Sequence, residues 1–260
     1  MPADLSTFLL LALAAFAAGI MNSIAGGGTL LTFPALTAVV ASDVANATST
    51  LALLPGSLSG AWAYRQEVRQ SARWVALLVG PSLVGGVIGA LLVVWYPKQF
   101  RVLVPWLILT AAILFTIQPV IGKWLKRNHH SAPRSKAAIG AVVVFQFLVA
   151  LYGGYFGAGI GILMLASLGL LAVGSIHQMN GVKTVLASLI NLATVVVFLT
   201  SPGLIHWRFA AVMAIAAICG GYAGARLARK LPTTDVRIAI TVIAFGLALW
   251  FFIQPIGGAP

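Results

Sequence analysis

Two glycine clusters, Gly26-Gly27-Gly28 and Gly157, Gly159 and Gly161, stand where a long apolar run meets a short one. Glycine has no Cβ, so the backbone can unwind or take positive φ at such places. Non-helical backbone at membrane depth survives only when buried in protein or lining a wet cavity. Short helices starting near Thr29 and Ile160 would aim unsatisfied N–H groups, and the positive end of a helix dipole, at that cavity. Helix ends of this kind bind anions. The same glycines would also serve close helix packing, as small residues do in membranes. Their occurrence twice, each time ahead of an undersized apolar run, favours an anion site.

Further polar groups cluster next in the chain: Asn46, Thr48, Ser49 and Thr50, then Asn180, Lys183 and Thr184. Asn46 and Asn180 would serve equally as helix N-caps. Lys183, one turn inside its apolar run, would either snorkel to the interface or act inside the protein. A buried ammonium is costly and normally paired, and no acid in the sequence lies inside a run to pair with it. A bound anion would supply the missing charge. Asn191 follows eleven residues later, about three turns on and so on the same helix face; it would offer an amide to a solute or join two helices. Asn22, just ahead of the first glycine cluster, completes the candidate set.

These residues must be positioned by helices in lipid. Residues of the AVILMFWYC set make up 60% of the 260 and only 8% are charged, too few to wet the surface of a soluble domain. Apolar runs long enough to span occupy 4–24, 44–64, 74–95, 101–121, 137–156, 180–200, 207–228 and 236–254. Two shorter ones, 29–41 and 160–173, reach only about 20 Å and are expected to be half-spans or re-entrant segments. The sixteen Lys and Arg sit mostly in short loops, which fits retention on the cytoplasmic face rather than nucleic-acid binding. Cys219 is alone, so it forms neither a disulfide framework nor a thiolate metal site. The run beginning at Leu5 has no basic residue before it and reads as a retained segment.

The halves repeat. SIAGGGTLLTFPAL (23–36) aligns with YFGAGIGILMLASL (155–168), Asn46 and Thr50 with Asn180 and Thr184, GGVIGA (85–90) with GGYAGA (220–225), and IQPVIG (117–122) with IQPIGG (253–258). The basic bias of equivalent loops swaps between the halves. An odd number of elements per half explains that swap and inverts one half relative to the other. The expected fold class is therefore an all-α polytopic membrane protein with two pseudo-symmetric, inverted repeats of about five segments. The repeats are 1–122 and 137–260, joined by a cytoplasmic basic connector at 123–136, with both termini outside. No HExxH, GxSxG, CxxC or P-loop pattern occurs, so neither enzyme chemistry, a cofactor nor an ATP-driven motor is expected. The sequence leaves a single chain and a homo-oligomer both open.

The motif SIAGGGTLLTFPAL, the stretch NATSTLALLPGSLSGAWAYR and the second-half run MNGVKTVLASLINLATVVVFL resemble the sulfite exporter TauE/SafE family, also called the toluene-sulfonate uptake permeases. The resemblance covers nearly the whole chain, although Ile160 interrupts the second glycine motif. It implies a bacterial inner-membrane permease, an exporter for sulfite or a small sulfonate. On that basis the backbone of Gly26, Gly27, Gly28 and Thr29, with that of Gly157, Gly159 and Gly161, would cradle the oxygens. Asn46, Thr48, Ser49 and Asn180 would orient them, and Lys183 would balance the charge. A channel and a non-transporting membrane scaffold are the alternatives.

Overall fold

The computed structural model describes residues 4–24, 27–127, 135–171, 173–227, 242 and 245–253. Ten helices run in order: α1 Leu5–Ile24, α2 Thr29–Thr37, α3 Ser42–Ala63, α4 Arg65–Gln70, α5 Ala72–Trp95, α6 Pro97–Arg127, α7 Lys136–Tyr155, α8 Ile160–Leu170, α9 Ile176–Leu199 and α10 Trp207–Leu227. Residues 245–253 are helical as well; the rest of the apolar run expected at 236–254, residue 242 aside, lies outside the described residues. The chain is an all-α polytopic membrane protein. Among the described residues, five helices are long and apolar enough to cross a bilayer unaided: Leu5–Asn22, Ala72–Trp95, Pro97–Ile121, Lys136–Tyr155 and His177–Leu199. The outer faces of the bundle carry Leu, Val, Ile and Trp, the side chains that lipid solvates well.

Contacts between helices establish their directions. Phe8 stacks edge-on against Phe209, and Gly19 approaches Ala217, so α1 and α10 run parallel. The His206 N–H donates to Thr48 Oγ1 at 3.0 Å and Gly56 faces Ala217, so α3 runs the same way. In the other set, Gln146 Nε2 donates to Ser82 Oγ at 2.8 Å while Gly89 meets Leu151 and Tyr155, making α5 and α7 parallel. Gln178 Nε2 donates to Gln70 at 2.9 Å and Gly86 meets Ile190, aligning α9 with α5. The two sets oppose each other where α3 crosses α9, because Gly60 faces Thr184 and Ser188 Oγ lies 3.0 Å from Ser57 O. We call the end where α1, α3 and α10 begin the first end, and the opposite one the second.

These directions fix what the short helices do. α1 and α3 both start at the first end, and α2 lies between them, so α2 turns back toward the end from which α1 came. α8 does the same between α7 and α9, toward the second end. At 1.5 Å per residue α2 and α8 extend about 14 and 16 Å, half of a hydrocarbon core. Both are therefore re-entrant arms, not spans.

Close backbone approach holds the parallel pairs. A Cβ on Gly220 would overlap Phe16 O, and one on Gly154 would overlap Gly86 O. Small residues at helix contacts in a bilayer serve this purpose, since packing rather than water drives association there. A second observation concerns the pairs themselves. α1 with α10, α3 with α10 and α1 with α2 correspond in order to α7 with α5, α9 with α5 and α7 with α8.

Near the first end, Phe33, Phe100, Phe156 and Phe251 pack with Tyr155 into one aromatic cluster, with ring centroids 5.1–6.5 Å apart. Arg101 closes over it toward Asp43, with Nη2 3.0 Å from Oδ1.

Candidate functional site

Ser175 starts α9: its Oγ accepts from Gln178 N, and Gln178 Oε1 accepts from Ser175 N at 2.8 Å. This reciprocal box satisfies two of the amides a helix start leaves open. It also starts the helix at Ile176. Lys183 thus lies two turns inside α9 rather than one, and Asn180 is an interior residue rather than an N-cap. Asn46 is likewise interior to α3, which begins at Ser42. The N-cap roles considered for these two asparagines do not apply.

A cavity of about 120 Å³ lies between α1, α3, α9, α10 and the two breaks. Its polar lining comes from Asn22, Thr29, Thr50, Ser57, Lys183, Thr184 and Asn191. Glycines contribute much of the remainder, including Gly27, Gly157, Gly159 and Gly161, so backbone rather than side chains forms that wall. Gly27, Gly157 and Gly159 have φ of 90°, 80° and 81°, the left-handed region that a side chain strongly disfavours. The second break is pinned by Tyr152, whose hydroxyl donates to Ala158 O at 2.8 Å. The N-terminus of α8 follows directly from left-handed Gly159 and has no side-chain cap.

Lys183 crosses this wall. A Cβ on Gly161 would stand 3.2 Å from Lys183 Cδ, so the aliphatic stem lies flat on the first turn of α8. Of the described acids, Asp43 pairs with Arg101, Asp4 precedes α1, and Glu67 belongs to α4, its Cβ against Gly181. Among the described residues Lys183 has no ion-pair partner.

Several candidates turn elsewhere. Asn46 Nδ2 donates to Tyr155 O at 3.0 Å and joins α3 to the end of α7. Thr48 Oγ1 accepts from His206 N, and Ser49 Oγ lies 2.6 Å from Thr32 Oγ1, both of these hydroxyls fully buried. Asn180 O accepts from Thr184 Oγ1 at 2.7 Å, as Asn46 O accepts from Thr50 Oγ1 at 2.8 Å. Gly28 is the N-cap of α2, where its N–H donates to Asn22 Oδ1 at 2.7 Å. Gly26 lies outside the described residues. The structure thus brings together Asn22, Gly27, Thr29, Gly157, Gly159, Gly161, Lys183 and Asn191, and adds Thr50, Ser57 and Thr184 to the lining. Repeat equivalence pointed at Thr50 and Thr184; Ser57 carried no comparable signal until α3 was oriented.

Such a cavity, with one cation, hydroxyls and amides, and backbone exposed at two helix starts, can hold a small anion. It contains no set of three metal-ligating side chains among the described residues.

Comparison with known proteins agrees in scope with this architecture. The chain is 26% identical over 232 residues to a "Probable membrane transporter protein" of Haemophilus influenzae, covering 88% of each chain. It is 27% identical over 256 residues to "Probable membrane transporter protein ORF9" of Sinorhizobium sp, covering 97% of this chain and 95% of that one. A third relative, "Probable membrane transporter protein YfcA" of Escherichia coli K12, is 27% identical over 233 residues, 88% of this chain and 84% of the other. No solved structure matches. The profile of the family described as Sulfite exporter TauE/SafE matches residues 11–251, a stretch that includes both breaks and every residue lining the cavity, and the chain belongs to that family of membrane transporters.

Proposed function

We propose that this protein is a gradient-driven transporter that carries a small sulfur oxyanion or sulfonate out across the inner membrane of a bacterium. The observation that carries the reading is Lys183, without an ion-pair partner among the described residues, its stem laid along the uncapped start of α8 in a cavity between the two halves. An ammonium in an apolar helix is costly unless compensated, and a bound anion compensates it. Hydroxyls of Thr50, Ser57 and Thr184 and the amides of Asn22 and Asn191 line the same space and would orient the oxygens.

Supporting this is the arrangement of the described helices, in which the re-entrant α2 is followed by the crossing helices α3, α5 and α6, and the re-entrant α8 by α9 and α10. Three crossings invert the second half, so equivalent helices α3 and α9 meet antiparallel beside the cavity. Transporters of inverted repeats place substrate at such an interface and expose it alternately by rocking one half on the other. Arg65, Arg69, Arg73 and Lys123 lie at the second end, which retention of basic residues would make the cytoplasmic one.

The test is flux of radiolabelled sulfite and of a short sulfonate in proteoliposomes holding the purified chain. Saturable flux, accelerated by the same anion on the opposite side, is expected. Unsaturable flux would make it a channel, and no flux with no binding would make it a scaffold.

A further inference from the structure

The two breaks occupy equivalent places in the repeat, yet they present different chemistry to the cavity. Gly27 aligns with Gly159, and both have positive φ. Thr29 and Ser49 align with Gly161 and Lys183, while Asn22 aligns with Gly154. In the first half the polar groups satisfy one another. Asn22 Oδ1 takes the Gly28 N–H, and Ser49 Oγ is spent on Thr32, with both hydroxyl-bearing residues sealed from the cavity at 0% exposure. In the second half Gly154 has no side chain with which to cap the Ile160 N–H. Gly161 has no Cβ, and Lys183 lies in the space this leaves. At the equivalent position Thr29 carries a side chain, and the residue aligned with Lys183 is Ser49, so the first half brings no cation to the cavity.

From this difference we infer that the cavity holds one anion per chain, and that the second half alone holds its charge, between Lys183 and the α8 start at Gly159–Gly161. The inference rests on the anion-transport reading and says where, and how many times, that anion binds. A solute charge on the first-half side would face Thr29 and Asn22, whose Oδ1 is already taken by Gly28 N, with no cation beside it. Among the described residues, Glu67 on α4 has its Cβ against Gly181, two residues before Lys183, and Arg101 and Asp43 are committed to each other at the opposite end. The site is therefore asymmetric in charge although the backbone around it is nearly symmetric.

The test is calorimetric titration of the full chain in nanodiscs with sodium sulfite and, separately, with ethanesulfonate, against a chloride control. Wild-type protein is expected to bind one oxyanion per chain. Lys183→Ala and the near-isosteric Lys183→Met should each weaken binding about ten- to a hundredfold, the range for a lost charge-assisted contact. Lys183→Arg should keep part of it. Gly161→Ala, which pushes a methyl toward Lys183 Cδ, should weaken binding less than Lys183→Ala. Variants are scored only when monodisperse, and the stoichiometry needs no variant. Two anions per chain, or undiminished affinity in Lys183→Ala or Lys183→Met, would overturn the single-site inference and leave transport standing. Absence of any oxyanion binding to wild-type protein would sink the transport reading and this inference with it.

Discussion

A lysine two turns inside an apolar helix meets different physics from one at its first turn. At the first turn its stem reaches the headgroups and its charge stays wet. Lys183 starts from a deeper position because the Ser175–Gln178 box begins α9 at Ile176. That box is legible in the amino-acid sequence as Ser-x-x-Gln, and it puts both Lys183 and Asn180 in the helix interior. The roles of Asn46, Thr48 and Ser49 were not legible. Each uses its side chain against a residue far along the chain, Tyr155, His206 or Thr32, and no local pattern announces such partners. Asn46→Ala illustrates the consequence. It strips the Tyr155 carbonyl of its donor at a buried junction between halves and should cost about 1–3 kcal/mol of stability. A lowered thermal midpoint in nanodiscs is the expected result; an unchanged one would mean that water replaces the amide. Ser175→Ala should cost about 1 kcal/mol through the lost cap, read in the same melt.

At the scale of elements, apolar run length was the strongest signal, and it located every helix of the described bundle except α4. That short helix reads RQEVRQ, with no apolar period, and it is held by its docking on the start of α9 rather than by its own propensity. The repeated GGVIGA and GGYAGA motifs have a packing explanation: they lie where α5 meets α7 and where α10 meets α1. A matched set of substitutions tests this. Gly154→Ala and Gly220→Ala put a methyl into opposing backbone, Gly86 O and Phe16 O, which cannot yield without separating the helices. Each should cost about 1–3 kcal/mol, as overpacking does. Gly80→Ala and Gly140→Ala meet nothing within 4 Å and should be neutral, or stabilising by up to about 1 kcal/mol through helix propensity. Equal effects in the two sets would show that these glycines act through flexibility and not through close approach.

For the molecule as a whole, the swapped loop charges pointed to an odd count per half, but sequence could not say whether the short helices cross or return. Run length alone permits both, since about 14 Å of helix is too short to span and long enough to change sides beside a thinned or wet region. Direction decides it. α1, α3 and α10 are parallel, so α2 must carry the chain back to the end where α1 began. Val39, 42% exposed between α2 and α3, then belongs with Lys98 and Pro202 at the first end, the outer one in the proposed orientation. Ser175, exposed after α8, belongs with Arg69 and Ser135 at the second end, the inner one in that orientation. Had α2 completed a crossing begun by α1, Val39 and Asp4 would face opposite sides. Cysteine labelling separates these cases once the exposed native Cys219 is replaced by Ala. A membrane-impermeant maleimide applied to intact spheroplasts should label Asp4→Cys, Val39→Cys, Lys98→Cys and Pro202→Cys. Ser175→Cys, Arg69→Cys and Ser135→Cys should react only after permeabilisation. Labelling of Val39→Cys alongside protection of Asp4→Cys would refute the re-entrant arm, because residues 4 and 39 share a face only if α2 returns.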